Sequence, residues 1–192
     1  MSLWEAKRRL REESTERRRR ARAAAGSGAA ERLADHFLAA VPLLAGAAVS
    51  GYWPMRDEID PRPLMRRLHE SGHLCGLPVV VARGEALIFR AWSPGLALEV
   101  TAFGVSEPPA EAAPVTPDLL LVPLLAVDPG GYRLGYGGGY FDRTLAALRG
   151  AGRGVLAVGL AYGAQEVAEL PRTPGDERLD WVVSEREARK IG

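Results

Sequence analysis

The stretch Arg133-Leu134-Gly135-Tyr136-Gly137-Gly138-Gly139-Tyr140-Phe141-Asp142-Arg143 carries the residue types of a phosphate site. Glycines lack the Cβ atoms that keep a backbone away from phosphate oxygens, and the first turn of a following helix supplies free N–H donors. Arg133 in front adds a phosphate-pairing cation, and Asp142 behind adds a carboxylate of the kind that holds magnesium. The loop is not a G-x-x-x-x-G-K-[ST] P-loop. Gly135-Tyr136-Gly137 begins like a dinucleotide fingerprint, but no acidic residue follows at the spacing of about 20 that would complete one.

Three other segments offer matching chemistry. Lys7 and Arg11 stand four apart, hence on one helix face, and a Lys–Arg pair can clamp a polyphosphate. Tyr52-Trp53-Pro54-Met55-Arg56-Asp57-Glu58 sets aromatic faces beside a carboxylate, which suits a flat heteroaromatic ring bearing N–H groups. Asp176 could join Asp142 around a magnesium ion if the fold brings them together, whereas Asp180 reads as an ordinary strand-start residue. Neither a Ser–His nor a Cys–His constellation is evident, and His36, His69, His73 and Cys75 give no zinc spacing.

The elements that must position these groups follow from periodicity. Residues 3–24 read as a basic helix with an apolar stripe at Leu3, Ala6 and Leu10 and supporting pairs Glu13–Arg17 and Glu16–Arg20. Arg17 to Arg22 read as its solvated face. Ser27 is a candidate cap for a second helix over 28–40, and Pro61 to Ser71 reads as a third. Strands are expected at 47–52, 74–81, 86–92, 118–122, 155–160 and 179–183, and 107–117 as a connecting loop. The glycine stretch is expected between the strand ending at Val122 and a helix over Thr144 to Arg149. Ser184-x-x-Glu187 reads as the capping box of a short last helix. Strands that alternate with helices and run continuously apolar predict one α/β domain over residues 1–192. Its sheet is mainly parallel with helices on both faces, a Rossmann-like three-layer sandwich. Ligands of such sheets bind beyond the carboxyl ends of the strands.

Composition fits this reading. Hydrophobic residues make up 47% and charged residues 26% of the 192, ordinary values for a globular domain. A single cysteine points to a reducing cytoplasm, and no run is long and apolar enough for a membrane span. Residues 1–24 carry nine Lys/Arg against four Glu, so the basic charge sits on the first helix and suggests an anionic partner as small as a nucleotide.

Together these segments resemble the 5-formyltetrahydrofolate cyclo-ligase (methenyltetrahydrofolate synthetase) family. The resemblance runs from Lys7-Arg8-Arg9-Leu10-Arg11 through Pro54-x-x-x-Glu58 to Asp176-Glu177-Arg178-Leu179-Asp180. Its most specific part is Asp118-Leu119-Leu120-Leu121-Val122-Pro123 followed by the glycine stretch. Many members have glycine and phenylalanine at Leu124 and Val127, tyrosine at Phe141 and histidine at Gly175. The resemblance implies an ATP- and Mg2+-dependent conversion of 5-formyltetrahydrofolate to 5,10-methenyltetrahydrofolate, ADP and phosphate, by phosphorylation of the formyl oxygen and ring closure. It implies a monomer without nucleic-acid or membrane partners. It further implies ATP at Lys7, Arg11 and along Arg133 to Phe141, with Arg133 catalytic, and Mg2+ at Asp142 and Asp176. The reduced folate would lie at Trp53, Glu58, Tyr136 and Tyr140. The residues taken alone leave open a sugar-phosphate isomerase or CoA-transferase-like enzyme, or a nucleic-acid-binding protein using Arg17 to Arg22.

Overall fold

The computed structural model describes residues 2–101 and 104–192, so Met1 of the basic segment lies outside it. The chain begins α1 (Leu3–Ala25), α2 (Ala29–Ala40), β1 (Ala48–Ser50), α3 (Arg62–Glu70), β2 (Leu74–Val79) and β3 (Ile88–Ala91). It continues β4 (Glu99–Val100), β5 (Ser106–Glu107), β6 (Leu119–Pro123), β7 (Ala126–Val127), β8 (Arg133–Leu134) and α4 (Tyr140–Gly150). It ends β9 (Leu156–Leu160), β10 (Trp181–Val183) and β11 (Ala188–Lys190).

Seven strands make one sheet, ordered β11-β10-β9-β6-β1-β2-β3. The five from β10 to β2 are parallel, and β11 and β3 close the two edges antiparallel. Pleat alternation splits the core between the faces. Leu119 and Leu121 of β6 pack with Leu33, Phe37, Leu64 and Leu68 of α2 and α3, while Leu120 and Val122 pack with Leu145 of α4. This is the three-layer α/β sandwich that the apolar runs predict. From β1 the chain progresses one way to β2 and the other way to β6, β9 and β10, so a topological switch point falls between β1 and β6.

Close packing leaves Gly159 on β9 no room for a side chain. A Cβ there would meet Leu179 at 2.6 Å and Leu124 at 2.9 Å. Gly159→Val should therefore cost about 1–3 kcal/mol by overpacking, read as a lowered melting temperature; an unchanged melt would mean the two leucines yield freely.

Several local expectations are corrected. Ser27 does not cap α2: the cap position is Gly28, with no side-chain bond. Ser184-x-x-Glu187 starts no helix. The Ser184 Oγ accepts from the N–H groups of Arg186 (3.1 Å) and Glu187 (3.2 Å), and the chain turns back into β11. A serine hydroxyl serves a tight turn by the same bonds that would cap a helix, and here the free edge of β10 captures the returning chain as a strand. The glycine stretch does not follow β6 directly, because the hairpin β7–β8 intervenes and Arg133 sits on β8. Helix α4 begins at Tyr140 rather than Thr144, since Gly139 adopts the left-handed φ of 66° that sets the N-cap.

The basic helix docks differently from its apolar stripe. Leu3 is 44% exposed, although Leu10 packs beside Ala126, Leu134 and Leu170. Outright burial falls on Ser14, Arg18 and Ala21, which continue the stripe of Lys7 and Arg11 at alternating four- and three-residue steps. Glu16 pairs with Arg20 as expected, but Glu13 pairs with Arg9 instead of Arg17.

Candidate active site

A cavity of about 510 Å³ opens at the carboxyl ends of β6, β1 and β2, beside the switch point. Pro123 reaches it from β6, Tyr52, Trp53, Met55 and Glu58 from the segment after β1, and Pro78 and Val80 from β2. Helix α1 contributes Lys7 and Arg11, and the glycine stretch contributes every residue from Arg133 to Asp142. Asp176, from the loop before β10, completes the wall. Every residue that the resemblance assigns to ATP, Mg2+ or folate lines this one cavity.

One end is a nest of charges. The Lys7 Nζ donates to the Asp176 Oδ2 at 2.5 Å, and the Thr173 N–H donates to the same oxygen at 2.7 Å. Burial works against ionisation of Asp176, but these two donors outweigh it and hold the carboxyl below the usual aspartate range. The Arg133 side chain is only 4% exposed and donates to the Asp142 Oδ1 at 2.9 Å and to the Glu177 carbonyl at 2.7 Å. The Glu177 N–H donates to that same Asp142 oxygen at 3.0 Å, so Arg133 and Asp142 together pin the late loop to the start of α4. Burial lowers the Arg133 pKa, with Asp142 and Asp176 opposing it.

The glycine loop lies under this nest. Gly137 has a φ of 100°, and a Cβ there would stand 3.2 Å from the Arg11 guanidinium carbon, so only glycine lets Arg11 cross the loop. The Arg11 Nε donates to the Gly135 carbonyl at 3.0 Å. Arg143 donates to the Gly138 carbonyl at 2.7 Å and lies over the Tyr140 ring. The N–H groups of Tyr140, Phe141 and Asp142 precede the first α4 bond, from Arg143 N–H to the Gly139 carbonyl. They are helix-start donors of the kind that binds anions.

The opposite end is aromatic and apolar, built from Trp53, Tyr52, Met55, Val80, Leu87 and Val105 around Glu58. The Glu58 Oε2 accepts from the Met55 N–H at 2.8 Å, whereas its Oε1 is buried without a hydrogen-bond partner. Behind it lies Arg18, 1% exposed, which sequence reasoning assigns to the solvated face. Its burial follows from the docking stripe, and the spacing Lys7, Arg11, Ser14, Arg18 was the signal available for it. Of its neighbours, Arg22 pairs with Asp57, and Arg19 and Arg20 pair with Glu16. The apolar liners Val80, Leu87 and Val105 carry no sequence signal, for nothing in an isolated valine or leucine marks a cavity. Asp180 lies off the cavity, accepting from the Ala157 N–H and Arg149.

The model of the 5-formyltetrahydrofolate cyclo-ligase family matches residues 4–185. The chain belongs to that family. A cyclo-ligase from Haemophilus influenzae is 34% identical over 133 residues, 67% of this chain and 70% of the relative. One from Escherichia coli K12 is 32% identical over 149 residues, 74% and 80% of the two chains. The NMR structure of a 5,10-methenyltetrahydrofolate synthetase from Aquifex aeolicus superposes with a TM-score of 0.72 at 30% identity, covering 100% of this chain and 93% of that one. Asp176 follows Gly175 and is aimed by Lys7 and Thr173. Phe141 lines the cavity with a bare ring. Among the described residues no helix is long and apolar enough to cross a membrane.

Proposed function

We propose that this cavity converts 5-formyltetrahydrofolate and ATP to 5,10-methenyltetrahydrofolate, ADP and phosphate. The observation that carries the reading is the convergence of two unlike ends on one cavity in a cyclo-ligase-family chain. Lys7, Arg11, Arg133 and the helix-start N–H groups meet polyphosphate, and Glu58 with Trp53 and Tyr136 meets a flat ring.

The chemical obstacle is an N-formyl group, amide-like and deactivated by resonance, whose oxygen is a poor leaving group. The formyl oxygen attacks the γ-phosphorus, an O–P bond forms and the bond to ADP breaks. The second folate nitrogen then attacks the formyl carbon, the C–O bond breaks, and phosphate leaves with that oxygen as the nitrogen loses its proton. The protein's task is alignment and charge stabilisation rather than covalent catalysis. Glu58 accepts from ring N–H groups, Trp53, Tyr136 and Tyr140 wall the ring, and the loop N–H groups with Arg133 face the transferring phosphoryl group.

Two carboxylates on one cavity, Asp142 and Asp176, would hold Mg2+, which usually keeps several waters and is bound through one or two carboxylates plus substrate phosphates. When bound, the ion neutralises charge on the phosphates. Lys7 and Arg133, which pair with those carboxylates, line the same cavity and would supply cations to phosphate oxygens.

Mixing the protein with magnesium-ATP and 5-formyltetrahydrofolate should produce the methenyl chromophore, followed by absorbance, and withholding ATP should abolish it. A chromophore that forms at the same rate without ATP, or none with it, would sink the reading.

A further inference from the structure

The floor of the ring-binding end is an ion pair that neither phosphoryl transfer nor ring closure uses. The Arg18 NH1 lies 3.7 Å from the Glu58 Oε1, with side chains 1% and 3% exposed. The Arg18 NH2 donates to the Tyr136 hydroxyl at 2.6 Å, and the guanidinium carbon lies 5.4 Å from the Tyr136 ring centre. The Arg18 Nε and NH1 and the Glu58 Oε1 are buried with no hydrogen-bond partner among the described residues. A pair buried so completely and bonded so incompletely is poor for stability. Its geometry suits a different task, because Glu58 and Tyr136 both line the cavity and Arg18 touches both from behind.

We propose that Arg18 is a positioning residue for the folate ring: its charge keeps the Glu58 carboxylate an acceptor toward the cavity, and its NH2 fixes the Tyr136 wall beside it. This role rests on the cyclo-ligase reading of the cavity. Burial raises the Glu58 pKa, and the Met55 N–H, Arg18, Tyr136 and Arg56 oppose it. Tyr52, from the same segment, also feels the Glu58 charge, and its hydroxyl donates to the Ile59 carbonyl at 2.8 Å. Removing the Arg18 charge leaves burial less opposed, so the Glu58 pKa rises further and the group stays protonated to higher pH. A protonated carboxyl no longer offers two acceptors to ring N–H groups.

The test is equilibrium binding of 5-formyltetrahydrofolate without ATP across roughly pH 6 to 9, where an unperturbed carboxyl is fully ionised. The wild-type chain should hold its affinity to lower pH than Arg18→Met does. Arg18→Met should bind weakly at the acid end and recover with rising pH, by at most about tenfold per pH unit for a single titrating group. Arg18→Met with Glu58→Gln should be weak and flat, because no carboxyl remains to titrate. Arg18→Lys keeps a cation and should shift the same way by less. A purely structural arginine would weaken binding equally at every pH, so a flat profile in Arg18→Met overturns the proposal. If circular dichroism shows that the methionine variant does not fold, Arg18→Gln takes its place, and a flat Arg18→Gln profile overturns the proposal. Failure of the wild-type chain to bind the folate at all would overturn the cyclo-ligase reading itself, a separate result.

Discussion

Replacing Asp142 with asparagine should lower kcat/KM for 5-formyltetrahydrofolate by roughly 100- to 1,000-fold, the scale of losing one preorganised charge-stabilising group. Asparagine isolates that loss. Its carbonyl can still accept from Arg133 and from the Glu177 N–H, which both meet the Asp142 Oδ1, so the late loop keeps its tether. Alanine would also remove the charge partner of Arg133, whose side chain is 4% exposed, leaving it its bond to the Glu177 carbonyl. Breaking a buried pair in that way costs about 3–5 kcal/mol and mixes stability with function. The measurement is steady-state turnover against magnesium concentration beside a thermal melt. The asparagine variant should need more magnesium for half its own maximal rate and should melt close to wild type. Unchanged turnover at limiting magnesium would remove Asp142 from the metal site.

Glu58→Gln should weaken folate binding by roughly 10- to 100-fold, from the loss of about 1.5–3 kcal/mol in hydrogen bonding to a charged group. ATP affinity should be nearly unchanged. Glutamine can still accept from the Met55 N–H through one oxygen, as the Glu58 Oε2 does, but its other terminus becomes a donor facing the Arg18 guanidinium. Calorimetric titration of each ligand separately distinguishes the two ends of the cavity. Loss of ATP binding with folate binding intact would exchange their assignments.

How far the residues announce this site depends on how local their signals are. The glycine stretch was legible because two left-handed positions, Gly137 and Gly139, and flanking charges fall within eleven consecutive residues. The sheet was legible because strands buried on both faces, such as Leu119–Pro123, read as unbroken apolar runs. The hairpin β7–β8 was not, since its two-residue strands carry no periodicity. Arg18 was lost among Arg17, Arg19 and Arg20 because composition marks a charged run as solvated, and only docking decides which member is buried. Ser184 shows the limit of a motif: one hydroxyl pattern serves a cap or a turn, and the partner strand chooses. The pairing of Lys7 with Asp176 spans 169 positions and belongs to the tertiary fold alone.

The polar docking of α1 has a thermodynamic consequence. The helix buries outright only Ser14, Arg18 and Ala21, and its links to the body include the pairs Lys7–Asp176, Arg18–Glu58 and Arg22–Asp57. A segment that sequesters so little hydrocarbon detaches at a lower free energy than the sheet unfolds. A polyphosphate spanning Lys7, Arg11 and the glycine loop, as proposed, would bind only the attached form and raise that free energy by RT ln(1 + [L]/Kd). On the proposed reading, occupancy and helix attachment would be one linked equilibrium, in which a nucleotide acts as a strut for the element that grips it.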